Sequence, residues 1–547
     1  MNAFVKKNFG FIIICLLGLI PLYPLLHSGF PLTHDGQDHI ARIANFYQSL
    51  SEGNLIPRWA GNLNWGYGHP ILMFLYPAPS YFASLFHFIG FPFVVSVKII
   101  FGLTFVISGI GMYLWIRNIF GEKSGIVAGV LYMYAPYRFV DFYVRGAIGE
   151  HVAFLFVPFV FYFLYKISQL KKNNSQYLVG LSLSITGLLL SHNALSIMFL
   201  PIVIVYAGIL IVTSKNKVML SINYVLFALL GFGLSSFFLL PAFLEGKYTL
   251  RDIVTSSGEY KQGFVPLFDF FIPSWSYSGS ALLSKQVGLV QLVGIILSLF
   301  YIKKLKGAVR YFCLFLLIVF AFSLLLMIKE SDFVWHSISL LQKFQFPWRL
   351  LSIVVFSSAV LGSISVLLFK KKNATIAVFV FCFVAVILYL PYYKANGYVE
   401  KPEMFYSDVY RSTTDTGESS PIWSVRFMEH TYKSPVEFID GKGSIKQVQR
   451  SSTLHEYSVT VTSDTARIRE NTLYFPNWTV YVNGKSVPVE FQDEANRGLI
   501  TYYLTKGTNN VQVKFEDTKL RVYANIISIM SLVGLLMLFV LYKVKKV

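Results

Sequence analysis

The segment KKNFGFIIICLLGLIPLYPLLHSGFPLTHDGQDHIARI, residues 6–43, decides what kind of protein this is. Two lysines precede a long apolar run, as in a secretory leader. The run is too long for a leader and no small-residue cleavage site follows it, so it reads as a retained membrane span. Directly after it come His34, Asp35, Asp38, His39 and Arg42. The span therefore delivers an ionisable patch to one face of a bilayer.

The rest of the chain is as greasy as its start. Of 547 residues, 55% are hydrophobic and only 14% are charged. The mean hydropathy is +0.56, which excludes a disordered chain and an ordinary soluble enzyme. The net charge of +19 does not indicate nucleic acid, because the lysines fall in short clusters between apolar runs. Such clusters mark connections that stay beside anionic lipid. The three cysteines, Cys15, Cys313 and Cys382, lie inside apolar runs and form neither a disulfide framework nor a metal spacing.

Apolar runs of spanning length fall near 9–27, 93–116, 123–137, 151–168, 177–191, 195–213, 219–243, 286–302, 310–328, 349–369, 374–393 and 522–543, about twelve in all. Every second connection is basic: Lys6 and Lys7, Arg117 and Lys123, Lys166 to Lys172, Lys215 and Lys217, Lys303 to Arg310, Lys370 to Lys372, and Lys543 to Lys546. The positive-inside rule then puts both termini in the cytoplasm of a multi-pass cell-membrane protein. The connections 28–92, 138–150, 192–194, 244–285, 329–348 and 394–521 face outside.

The expected organisation is a transmembrane domain over 1–393, an external domain over 394–521, and a last helix with its tail over 522–547. The external domain alternates in short strands: HEYSVTVTS, TLYFPNWTVYVNGKSVPVEF, GLITYYL and NNVQVKFED. Asn483-Gly484 between two such runs predicts a hairpin, because both residues tolerate positive φ. The fold class is thus α-helical and polytopic with a small antiparallel β domain.

Outside the lysine clusters, polar residues gather at the external mouths of the spans. YRFVDFYVRGAIGEH (137–151) carries Arg145 and Glu150. LLSHNAL places His192 and Asn193 at a bend. KFQFPWRLL (343–351) carries Gln345 and Arg349. An ion-coupled transporter usually keeps ionisable groups near the midplane, and few are found there. A polar site at the outer interface suits chemistry at the membrane surface.

From Asp35 to Leu50 the period is helical. Ile40, Ile43, Tyr47 and Leu50 form one stripe, expected to lie down on the membrane; Asp35, Asp38, His39 and Arg42 form a polar stripe beside it. Asp35 fits a helix N-cap, and Asp38 with Arg42 fits a plain i,i+4 pair. Neither role needs His34, Arg58 or the WGYGHP turn with Tyr67 and His69. Aromatic loops over acids suit sugar rings, whose faces stack while carboxylates take the hydroxyls. Bland readings stand beside these. Arg145 and Glu150 could only pair with each other, His192 could only cap a helix, Arg349 could snorkel, and Trp59, Trp65 and Trp348 could be interfacial belt. Asn477-Trp-Thr matches a weak glycosylation triplet. No P-loop, Rossmann fingerprint, zinc spacing or nucleophile elbow is present.

An acid in the first external loop after span one resembles the GT-C class of membrane glycosyltransferases. More closely, HDGQDHIARI, GNLIPRW, GYGHP, YPAPSY, RGAIGEH, LLSHN and FQFPWR are similar to a bacterial multi-span family labelled 6-pyruvoyl-tetrahydropterin-synthase-related. LYFPNWTVYVNGKSVPV resembles the tail domain of the related YfhO-like proteins. The resemblance covers most of the chain. It implies a polyprenyl-phosphate sugar donor presented on the outer face, and a loop-one acid as base, Asp35 with Asp38 as the alternative. The motif here is Asp-Gly-Gln-Asp, not an Asp-Asp or Asp-Glu pair. The resemblance fixes no cofactor and leaves room for a divalent metal.

The expected activity is transfer of a hexose-type sugar, with inversion, to an envelope polymer, lipid or protein. Arg349, Arg145 and Arg58 are expected to hold the donor phosphate, because guanidinium matches phosphate oxygens bidentately. His34, His39, Tyr67, His69, Glu150, His192, Asn193 and Gln345 are expected to line the sugar or acceptor pocket. The competing reading is a lipid-linked saccharide transporter or a non-catalytic envelope scaffold, which would tolerate Asp35→Asn.

Overall fold

A computed structural model describes residues 8–170, 175–255, 258–279 and 282–544. Lys6, Lys7, Lys171, Lys172, Lys545 and Lys546 lie outside the described residues. The helix α1 (Phe9–Leu19) continues through a proline-containing 3-10 stretch to Leu26. The first long connection holds α2 (Gly36–Ser51) and α3 (Ala78–Phe88). Then come α4 (Phe93–Phe120), α5 (Glu122–Met133), α6 (Ile148–Ser168), α7 (Ser175–Ser191), α8 (Asn193–Thr213), α9 (Lys217–Leu234), α10 (Ser236–Leu244), α11 (Leu289–Ile302), α12 (Gly307–Met327), α13 (Leu351–Ile364) and α14 (Lys371–Leu388). The helix α15 (Lys519–Val544) comes last.

Each expected span coincides with a helix, but eight rather than twelve reach spanning length among the described residues. The 12 residues of α5 rise only about 18 Å, against roughly 30 Å of hydrocarbon. The apolar run past Met133 does not prolong it, because the chain turns there and Pro136 starts a fresh turn, where its missing N–H costs nothing. The run expected at 219–243 breaks at Ser235, between α9 and α10.

The helix α2 begins and ends where its period predicts, but its apolar stripe does not face lipid. Ile40 and Ile43 are buried in the main core, under α3 and α4. The polar stripe is also half covered, with His39 and Arg42 buried.

Beyond α14 the chain returns over the first loop. The strands β1 (Phe30–Pro31) and β2 (Tyr398–Val399) pair there. The sheet that follows holds β3 (Val436–Asp440), β4 (Gly443–Arg450), β5 (Leu454–Leu473), β6 (Trp478–Val482), β7 (Lys485–Val487) and β8 (Leu499–Phe515). Its order is β3-β5-β8-β6-β7 with β4 on β5, and every pairing is antiparallel. Asn483 (φ 49°) and Gly484 (φ 79°) make the expected tight turn. GLITYYL and NNVQVKFED are one strand, not two. Gly507 (φ 115°) sits opposite the register break at Val461/Thr465, so β8 bends there without ending.

The sheet shares its core with the first loop. Trp59, Met73 and Phe74 pack with Trp478 and Phe515, and the Trp59 and Trp478 rings meet edge-on at 5.3 Å. Trp59 and Trp348 are therefore buried core, not interfacial belt.

Arg58, expected to hold donor phosphate, is also structural. Its Nε meets Asp517 at 3.1 Å, Nη2 donates to Asn525 Oδ1 at 2.8 Å, and Nη1 donates to the Phe237 carbonyl at 3.2 Å. Beside it, buried Arg521 meets Glu245 at 2.8 Å. Together these pairs bolt α15 to α10 and to loop one. Arg58→Ala is expected to cost roughly 1–3 kcal/mol, discounted because Asp517 reaches solvent. The thermal midpoint should fall; a variant as stable as the wild type would free Arg58 from this structural role.

Candidate active site at the mouth of α6

The site is built on residues 136–151. After the turn at Pro136, Val140–Arg145 winds as a π-type turn and stops at Gly146, which is left-handed (φ 69°). A Cβ there would lie 2.4 Å from Thr33 Oγ1, so only glycine lets loop one approach. The two segments are stitched together: His34 N–H donates to Val144 O at 3.0 Å, and Asp35 N–H to Arg145 O at 2.9 Å. A Cβ on Gly149 would strike the Tyr76 ring at 2.2 Å, which fixes that ring against the start of α6.

Glu150, fully buried, is the centre of charge. Its Oε1 takes Arg145 Nη1 at 2.8 Å and Arg349 Nε at 2.9 Å; its Oε2 accepts from the Tyr137 hydroxyl at 2.8 Å. Asp141 takes the same Arg145 nitrogen at 2.8 Å. The Arg145 guanidinium lies 4.8 Å from the Trp348 ring centroid, and Arg349 Nη1 donates to Phe344 O at 2.8 Å. Two acids thus balance two arginines. Among the described residues, Arg145 Nε and Nη2 and Arg349 Nη2 keep no protein acceptor. Those edges can still take an oxyanion.

Asp35 stands at the N-cap of α2, yet its carboxylate makes no capping bond; Thr33 Oγ1 accepts from Gly36 N–H in its place, at 3.2 Å. Asp35 is exposed, and no hydrogen bond or ion pair ties its side chain among the described residues. Asp38 is more enclosed. Burial raises its carboxyl above the usual range, against the Tyr410 and Ser412 hydroxyls and Arg42, which lower it. Arg42 is wholly engaged: Nε donates to Thr414 Oγ1 at 3.1 Å, Nη2 to the Thr414 carbonyl, and Nη1 meets His39 Nδ1 at 3.1 Å. Burial and the neighbouring Arg42 hold His39 well below the usual histidine range, so it is a neutral acceptor.

Residues 410–418 roof this patch. Asp415 folds the roof on itself, accepting from Gly417 and Ser419 N–H at 2.8 and 3.0 Å. Glu418 comes within electrostatic reach of Arg251 and Arg349.

The remaining expected site residues divide. His34 is exposed beside Asp35, with Nε2 3.2 Å from Tyr277 O. Asn193 donates to Phe74 O at 3.0 Å and leaves its buried Oδ1 unpartnered. Gln345 turns the chain into the Arg349 segment with φ 68°. His69 is wholly buried against Ser420 Oγ at 3.1 Å, and Tyr67 packs edge-on against Tyr432 at 5.2 Å; both tie loop one to the connection between β2 and β3. Tyr76, Tyr137, Asp141 and the roof were not expected as site residues. Arg42 stood on the expected polar stripe but was not assigned a role. Nothing in the sequence near 410–418 signals that it returns to residue 42.

His192 caps α8, its Nδ1 accepting from Leu195 N–H at 3.2 Å, and turns Nε2 toward Glu150 at 3.9 Å. Burial first, then Arg349 and Arg145, push it down to about 3 against the pull of Glu150. The folded value lies below the unfolded one, so the unfolded chain takes the proton first. The stability due to neutral His192 is complete above pH 6.5 and is lost as pH falls from there toward 3. His192→Asn keeps a cap and cannot titrate. Between pH 6 and 4 it should flatten the stability curve by up to about 1.4 kcal/mol per pH unit, read by thermal unfolding.

Among the described residues, no group of three His, Cys, Asp or Glu is placed to hold a metal. An uncharacterized protein of Lactococcus lactis subsp. cremoris (strain MG1363) is 25% identical over 173 residues, which is 30% of this chain and 28% of that relative's length. Three solved structures are similar at low identity. One is the oligosaccharyltransferase AglB from Archaeoglobus fulgidus in complex with an inhibitory peptide and a dolichol-phosphate (12% identity, TM-score 0.48, 77% of this chain and 62% of that one). Another is ArnT from Cupriavidus metallidurans bound to undecaprenyl phosphate (11%, 0.43, 74% and 68%). The third is the arabinofuranosyltransferase AftD from Mycobacteria (14%, 0.40, 69% and 26%). Residues 73–396, which begin just after the WGYGHP turn and run past the end of α14, match the family described as 6-pyruvoyl-tetrahydropterin synthase related domain, membrane protein. With more than half its length inside that match, the chain belongs to this family of membrane proteins.

Proposed function

We propose that this protein is a membrane glycosyltransferase that moves a sugar from a polyprenyl-phosphate donor to an acceptor on the outer face of the membrane, with inversion. One observation carries the reading: an uncommitted, exposed carboxylate, Asp35, is stitched by its backbone to Arg145, whose open guanidinium edge lies in the same cluster as that of Arg349. Asp35 takes the acceptor hydroxyl's proton. Arg145 and Arg349 meet the charge that develops on the departing phosphate ester. Glu150 and Asp141 keep both guanidiniums in place. The roof over 410–418 bounds the acceptor side.

The test is reconstitution of the full chain in liposomes with a radiolabelled polyprenyl-phosphate hexose and a mixed acceptor extract. A new glycosidic bond supports the reading. Movement of label across the bilayer with no bond formed makes the protein a transporter, and neither outcome makes it a scaffold.

A further inference from the structure

The other end of the same helices holds a cavity of about 550 Å³. It lies opposite the Glu150 cluster. Tyr165 lines it and shares α6 with Glu150, about 22 Å away at roughly 1.5 Å per residue. α8 likewise runs from Asn193 at the site to Leu210 and Thr213 at the cavity. This is the side on which the lysine-rich connections emerge.

The floor is apolar and aromatic. Trp115, Tyr206, Phe312 and Val360 are buried there, and the one polar pair among them is closed, Trp115 Nε1 donating to Tyr206 Oη at 3.2 Å. The rim is polar, with Ser168, Ser214, Lys215 and Asn216. Among the described residues, Lys215 is the only charged side chain in the lining, and no acid among them offsets it. Lys217, Lys306 and Arg310 flank lining residues in the chain and add to the positive field. The volume falls in the roughly 300–1,000 Å³ range of sites that enclose most of a small ligand. A free anion would leave the aromatic floor wet, and a neutral hydrocarbon would ignore the rim.

We infer that this cavity is a site for one anionic phospholipid, drawn from the leaflet opposite the Asp35 patch. An acyl chain lies on the Trp115–Phe312 floor and the phosphodiester meets Lys215 at the rim. Charge selects the headgroup, because the lining offers a cation and no carboxylate for a choline. The inference does not rest on the transfer reading above, since no residue of the Asp35–Glu150 cluster touches the cavity.

Native mass spectrometry of the full-length protein in detergent tests it, with dioleoyl phosphatidylglycerol and dioleoyl phosphatidylcholine as competing probes. The wild type should retain one phosphatidylglycerol, preferred by at least about fivefold, the ratio a single lysine near a lipid surface supplies. Lys215→Glu, at an exposed position that leaves folding intact, should erase the preference. Val309→Trp, which fills the cavity from α12, should lower retention of both lipids. Asp35→Asn should retain lipid as the wild type does. Equal retention of the two lipids by the wild type would overturn the inference. So would an unchanged preference in Lys215→Glu, or release of the lipid by millimolar inorganic phosphate, which would mark a free-anion site. Should Val309→Trp fail to fold, Lys215→Glu alone decides.

Discussion

Asp35→Asn is expected to leave the protein folded and to lower sugar transfer by about 10²–10⁴-fold, the contribution of a positioned general base. Asp35 occupies the N-cap position of α2 but gives no side-chain capping bond, so helix stability does not depend on its charge. Asparagine is accepted at that position as readily as aspartate, and surface changes of this kind usually stay within about 0.5 kcal/mol. Asparagine cannot take a proton. Stability should therefore be unchanged in thermal unfolding, the donor KM should hold, and kcat should collapse. Asp38→Asn provides the contrast. Its carboxyl is enclosed under the roof with Tyr410 and Ser412, so that variant should loosen the roof and lose less activity. Wild-type turnover in Asp35→Asn, with loss in Asp38→Asn, would move the base to Asp38.

The second large effect belongs to Glu150. Glu150→Gln removes the one carboxylate shared by two buried arginines, Arg145 and Arg349. Breaking a buried ion pair by deleting one partner typically costs about 3–5 kcal/mol, because the remaining charge stays desolvated. Asp141 continues to balance Arg145, so the uncompensated charge is chiefly that of Arg349. A marked fall in the thermal midpoint should accompany a loss of transfer of roughly 10²–10³-fold, as when one preorganised charge-stabilising group is lost. Glu150→Gln combined with Arg349→Met should recover part of the stability and none of the activity. A single Glu150→Gln variant as stable as the wild type would mean that solvent already compensates the arginines, and the site would not be the dry cluster described.

Much of this was legible in the chain. Hydropathy located the long apolar helices, because spanning a bilayer demands a long apolar run, but it passed over the shorter α3 inside the first loop. The Asn483-Gly484 turn followed from two residues that accept positive φ. α2 followed from its period, and its polar stripe pointed to Asp35, Asp38, His39 and Arg42. What a periodicity cannot supply is a partner. The stripe of α2 that pattern alone would lay on a membrane is buried against α3 and α4. Arg58 looked like a phosphate ligand until Asp517, from the far end of the chain, took it.

The sequence by itself therefore determined the membrane class, the helix positions and the residue types gathered at one set of helix ends. Only the tertiary structure decided which of them meet. Glu150 joins Arg145 and Arg349 because the π-type turn at 140–145 and the left-handed Gly146 rotate one guanidinium toward a helix that the other reaches from residue 349. Ion pairs between distant segments are set by packing, and packing depends on the whole chain at once.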